Sequence, residues 1–104
     1  MTVREQKLAL PLEEIREFCR HHPIRRLSLF GSILRDDFGE KSDVDFLVEF
    51  TPGQTPGLFK LLGMQYALQD MIGRTVDLRT TKEFSEPLRT NIMEQAEAVY
   101  ARQE

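Results

Sequence analysis

Three short β-forming runs, Ile24 to Phe30, Val44 to Phe50 and Val76 to Arg79, are set apart by stretches whose apolar residues recur every three or four positions. That alternation restricts the fold more than any other feature of the chain. Strands separated by helical segments must pair into a small sheet and bury one face of it under helices. The expected class is therefore α/β (α+β), a small mixed sheet flanked by helices.

Along the chain, Leu12, Ile15, Phe18 and Cys19 recur at helical spacing until Pro23 ends the pattern. The first strand runs into Gly31 and Ser32, where a turn is expected, and Ile33 to Arg35 read as one helical turn. After the polar loop DDFGEKS, Val44, Phe46, Val48 and Phe50 share one face of the second strand. The segment TPGQTPG, from Thr51 to Gly57, breaks the backbone. A helix then carries Leu58, Leu61, Leu62, Leu68 and Ile72 as its apolar stripe, with Gly73 placed as its C-terminal cap. The third strand follows. Ser85 is the candidate N-cap of a last helix, with Pro87 in its first turn and Leu88, Ile92, Ala96 and Val99 on its buried side. The predicted order is α-β-(short α)-β-α-β-α.

A length of 104 residues with 40% hydrophobic content fits one domain over 1–104 and leaves no room for a second that captures substrate. The net charge of -3 argues against a broad grip on nucleic acid, which needs a basic face. Cys19 is the only cysteine, so no intramolecular disulfide can form and a reducing compartment is expected. Arg4, Glu5 and Lys7 interrupt any export signal, and no apolar run reaches the length of a membrane span. A cytoplasmic protein is expected.

The second strand also carries chemistry. Asp43 and Asp45, two residues apart, project to the face opposite Val44 and Phe46, roughly 6.5 to 7 Å apart along the chain. If their carboxylates close to about 5 Å at an effective dielectric of about 20, they repel by about 3 kcal/mol, and a divalent cation relieves this best. Asp77, between Val76 and Leu78, would also face away from the core. Should the second and third strands lie side by side, the three carboxylates converge, and hard oxygen donors with open positions suit Mg²⁺. On the other flank, Gly31 lets backbone approach an anion, the Ser32 hydroxyl can donate, and Arg35 can add a charged contact.

Together these residues give the segment LFGSILRDDFGEKSDVDFLVEF, which resembles the signature of the DNA polymerase beta-like nucleotidyltransferase superfamily. Gly31, Ser32, Arg35, Ser42, Asp43 and Asp45 fall on the motif, and VDL at Val76 to Leu78 matches the later strand with the third carboxylate. The short length resembles the minimal nucleotidyltransferases, or MNT antitoxins, encoded beside HEPN-domain toxins. The resemblance implies that Asp43 and Asp45 bind two Mg²⁺ ions, that Asp77 binds one and helps activate the incoming hydroxyl, and that Gly31 and Ser32 hold the β and γ phosphates. It implies transfer of AMP, or another nucleotidyl group, from ATP or another nucleoside triphosphate, with release of pyrophosphate. It further implies a HEPN toxin as partner in a hetero-oligomer, in some relatives adenylylated on tyrosine. Many relatives have glycine after the motif arginine, where this chain has Asp36.

Other readings of the same residues fare worse. An EF-hand beginning at Asp43 would need glycine and glutamate where Val48 and Gln54 stand, and no Walker loop is present. Cys19, His21 and His22 fall short of the four ligands of a structural zinc site and read as a helix end with a buried thiol. Arg16 and His21 match the spacing of a HEPN ribonuclease motif, but that family is all-helical. Arg25 and Arg26 read as a solvated strand start, Asp36 and Asp37 as loop charges, and Ser42 also suits a loop-shaping role. Arg79 either pairs with a carboxylate or faces phosphate. Two functional classes stand beside enzymatic modification of a partner protein: a non-catalytic module that neutralises its partner by occlusion, and nucleotidyl transfer to RNA or a small molecule. Leu58, Phe59, Met64 and Tyr66 are surplus apolar residues that would suit a partner interface.

Overall fold

The computed structural model describes residues 9–35, 39 and 42–103, so Asp36 and Asp37 lie outside the described residues. Helix α1 (Leu12–Arg20) buries Ile15 and Cys19 and presents its charged residues to solvent. Strand β1 (Ile24–Phe30) leads into a 3₁₀ turn (Gly31–Leu34), and β2 (Val44–Phe50) returns antiparallel to β1. Helix α2 (Leu58–Ile72) crosses over to β3 (Val76–Thr80), which pairs parallel with β2. A second 3₁₀ turn (Thr81–Glu83), helix α3 (Leu88–Gln95) and strand β4 (Glu97–Ala101) complete the described chain. The sheet order is β3-β2-β1-β4, a mixed sheet as expected.

One face of this sheet is the core. Leu27, Leu29, Val44, Phe46, Val48, Val76, Leu78 and Val99 pack against Ile15 and Cys19 of α1 and Met64 and Leu68 of α2. The alternation read from the sequence holds along β2, and Gly73 caps α2 in the left-handed conformation at φ 74°. The opposite face carries Ser28, Asp45, Leu47, Asp77 and Arg79, with Met93 of α3 and Ala96 just after it reaching over only its β1 and β4 side. Arg25 and Arg26, exposed as expected, reach Glu49 of β2 at 3.1 and 3.8 Å. Among the described residues no helix is long and apolar enough to cross a membrane.

Three expectations are corrected. Ser85 does not cap the last helix, which begins at Leu88 with Pro87 in the cap position and no side-chain cap bond. The last helix does not run on to Val99: it stops at Gln95, Ala96 turns extended (φ -64°, ψ 139°), and the next five residues form β4. Leu88, Ile92, Ala96 and Val99 mimic helical spacing, but the far edge of β1 leaves a row of backbone groups to be paired, and a following segment with Val99 and Tyr100 can pair it. Leu88 is consequently 53% exposed rather than buried. The apolar stripe of α2 is also rotated from the expected one. Leu61, Met64, Leu68 and Ile72 face the core, while Leu58 and Leu62 join Phe59 and Tyr66 on the surface. Met64, expected among the surplus residues, is buried.

Cys19 is the buried thiol expected, and burial pushes its pKa up to about 12. Native protein should therefore resist a thiol reagent at neutral pH and react at the rate at which α1 opens. Rapid, complete labelling before any change in circular dichroism would contradict this placement.

Candidate functional site

The site is built where β1, β2 and β3 present their ends on the face away from the core. Gly31 closes β1 at φ 75°, a conformation that costs a side-chain-bearing residue about 1 to 2 kcal/mol. Ile33, buried, pins the 3₁₀ turn to the core, and Arg35 N–H closes the turn on Ser32 O at 3.0 Å. The turn is thereby aimed at β2. Ser32 Oγ donates to the Asp43 carbonyl at 3.4 Å, and the Ser32 backbone N–H donates to the Asp45 carboxylate. Asp45 lies so close over Gly31 that a Cβ there would collide with Oδ2 and sit 3.2 Å from Cγ. The glycine is needed twice, for its backbone conformation and for the space the carboxylate fills.

Parallel pairing sets Asp45 directly opposite Asp77, on the same face. Of the three carboxylates expected to converge, Asp45 and Asp77 are direct cross-strand neighbours, while Asp43 lies exposed just ahead of β2. Burial first, then the negative charge of Asp77, raises the Asp45 pKa, Asp43 adding to the effect, while the Ser32 N–H and Arg79 oppose it. Arg79 answers the choice left open above: its Nε lies 3.0 Å from Asp77 Oδ1 and its Nη1 donates to Glu83 Oε1 at 3.2 Å. Among the described residues, no three histidine, cysteine, aspartate or glutamate side chains are gathered tightly enough to hold a metal ion as they stand. Asp45 is directed onto the Ser32 amide and Asp77 onto Arg79. The donor set nevertheless suits a hard cation, because the charges that repel within it are the ones a divalent ion would neutralise.

The remaining candidates take different places. Ser42 Oγ accepts the Gly39 N–H at 3.1 Å, which is the loop-shaping role. Arg35 is exposed and, with Gly31, Leu34, Glu94, Gln95 and Glu97, lines an open cavity of about 460 Å³. A second opening of about 430 Å³ lies on the far side of the carboxylates, between β3 and α2, with Asp77, Arg79, Leu58, Leu62 and Gln65 in its walls. Sequence reasoning passed over Arg74, whose Nη2 donates to the Ser42 carbonyl at 2.9 Å and to that of Gly39, stapling the approach to Asp43. It also passed over Glu83, although Thr80-x-x-Glu83 spells a capping box that both Thr80 and Glu83 complete.

Comparisons with known proteins agree with this fold. The model of a family described as a nucleotidyltransferase domain matches residues 12–99. A protein of Methanocaldococcus jannaschii named for protein adenylyltransferase activity is 36% identical over 75 residues, covering 72% of this chain and 78% of the relative. A solved structure named as a minimal nucleotidyltransferase is 28% identical, with a TM-score of 0.70 over 94% of both chains. The fold also matches, at 21% identity and a TM-score of 0.66 over 94% of this chain and 74% of the other, a chain from a complex of tri-AMPylated Shewanella oneidensis HEPN toxin with MNT antitoxin.

Proposed function

Because this chain belongs to the nucleotidyltransferase domain family, we propose that it transfers AMP from ATP to a hydroxyl of a partner protein and thereby acts, in the cytoplasm, as antitoxin to a HEPN-type toxin. The observation that carries this reading is the direct opposition of Asp45 and Asp77 beside the Gly31-Ser32 turn. The adenylyltransferase name of the relative supports the reaction, and the AMPylated toxin in the similar complex supports the kind of partner.

In this reading Asp43, Asp45 and Asp77 hold Mg²⁺, and Gly31, Ser32 and Arg35 receive the triphosphate, with Ser42 shaping the loop between. When bound, magnesium supplies positive charge to the phosphoryl oxygens and the reacting hydroxyl. The chain supplies position. The turn after β1 lies on one flank of the carboxylates, where the Ser32 hydroxyl and the Arg35 guanidinium suit the leaving pyrophosphate. An in-line displacement then requires the acceptor hydroxyl to enter from the opposite flank, the opening between β3 and α2. There Asp77 stands ready, with Oδ1 held by Arg79, to take the hydroxyl proton through Oδ2. The new bond joins acceptor oxygen to the α-phosphorus, the bond to the bridging oxygen breaks, and pyrophosphate departs.

The test is incubation with ATP labelled at the α-phosphorus, Mg²⁺ and the purified partner. Label should move to the partner and depend on both. A folded partner that stays unlabelled overturns the proposal. A specific observation favours a second reading, neutralisation by occlusion: Leu58, Phe59, Leu62 and Tyr66 are 68%, 89%, 36% and 58% exposed along successive turns of α2, a surface suited to burial against another protein.

A further inference from the structure

Strand β3 is an edge of the sheet, paired with β2 on one side only. An edge strand normally leaves outward N–H groups free to water or to a foreign strand. Here they are occupied. Gln69 Oε1 accepts the Val76 N–H at 3.1 Å, Gln65 Oε1 accepts the Leu78 N–H at 3.0 Å, and Glu83 accepts the Thr80 N–H at 2.7 Å. The two glutamines are one turn apart on α2 and their bonds are partly buried. The residue between the two amides they hold is Asp77. We propose that Gln65 and Gln69 are positioning residues for the transfer reaction, clamping β3 on both sides of Asp77 so that its carboxylate stays in register with Asp45.

The physical case rests on what else could fix Asp77. Its side chain leans on Arg79, which is 46% exposed and whose other carboxylate partner, Glu83, lies on the following turn. Exposed ion pairs of that kind hold geometry weakly. Backbone pairing with β2 restrains only one side of the strand. The clamp supplies the other restraint from α2, whose Met64 and Leu68 are anchored in the core beside the two glutamines. The same bonds deny the β3 edge to strand addition, so an acceptor protein must reach Asp77 with a side chain entering the opening and not by extending the sheet.

This inference rests on the transferase reading, and its test separates the two. Gln65→Met keeps length and volume but removes the acceptor, and Gln65→Glu restores an acceptor oxygen. Amide exchange is read without substrate. Leu78 should exchange about tenfold faster or more in the Met variant and near the wild-type rate in the Glu variant, as loss of one partly buried hydrogen bond implies. With ATP, Mg²⁺ and partner, kcat should fall about tenfold or more in the Met variant while KM for ATP stays within about twofold, and the Glu variant should recover most of kcat. Unchanged exchange at Leu78 overturns the clamp whatever the activity. Faster exchange with an unchanged kcat makes the bonds mere edge protection and overturns the positioning role, as does a Glu variant as impaired as the Met variant. A wild-type protein without transferase activity refutes the reaction instead, and leaves the exchange result to judge the clamp.

Discussion

Replacement of Asp45 by asparagine is expected to abolish nucleotidyl transfer, by at least about a thousandfold, in a protein that remains folded. The variant preserves shape and still offers an oxygen to the Ser32 N–H, so the turn after β1 has its partner. It loses the charge at the centre of the site, between the Asp77 position and the Gly31-Ser32 turn. The fold should become less sensitive to pH. Burial and the charges of Asp77 and Asp43 hold the Asp45 carboxyl above its usual range, so the folded state binds the proton more tightly than the unfolded chain. Its contribution is greatest below the unfolded-state pKa and is lost as pH rises through the folded-state value. Urea midpoints compared from about pH 3.5 to about pH 7 should show the wild type losing this increment relative to the Asn variant. The double variant with Asp43→Asn also tells the two functional readings apart. Complex formation with lost neutralisation favours the enzyme, whereas neutralisation that persists favours occlusion.

Gly31→Ala is expected to damage both stability and site, lowering unfolding free energy by about 2 to 3 kcal/mol. Part of that loss is the backbone at φ 75°, and part is the collision with Asp45. The molecule contains its own control. Gly73 has nearly the same φ, 74°, but nothing within 4 Å of where a Cβ would stand, so Gly73→Ala carries only the backbone cost of about 1 to 2 kcal/mol. A larger loss at Gly31 than at Gly73 in denaturant titrations measures the carboxylate's demand for space. Because the added methyl also evicts Asp45 from the Ser32 amide, ATP binding should weaken at Gly31→Ala and stay intact at Gly73→Ala. Equal behaviour of the two variants would contradict the close approach of Asp45 to Gly31.

Much of this molecule was legible before any coordinates. Strands β1 and β2 begin and end where the pattern of apolar residues places them, and Gly73 stops α2, because these are local matters of side-chain alternation and backbone freedom. Glu83 was legible too, through its capping box with Thr80, and was passed over. The clamp was not: two glutamines within an apolar helix announce nothing until an edge strand lies beside them. The masking of β4 as a helix has the same origin. Leu88, Ile92, Ala96 and Val99 keep helical spacing, and only the unpaired edge of β1 draws the segment after Ala96 into a strand.

By itself the sequence determined that Asp45 and Asp77 stand on strands with apolar neighbours pointing the other way, since alternation along a strand is a property of the backbone alone, whereas Asp43 falls just ahead of β2. It determined equally that Gly31 and Ser32 interrupt the chain just after β1. Only the tertiary structure decided that β3 lies parallel to β2 with Asp77 level with Asp45, that Arg79 turns to Asp77, and that Leu58 and Leu62 are left outside the core. Those outcomes depend on which elements are neighbours and in what register, and register is settled by burying all the apolar faces at once.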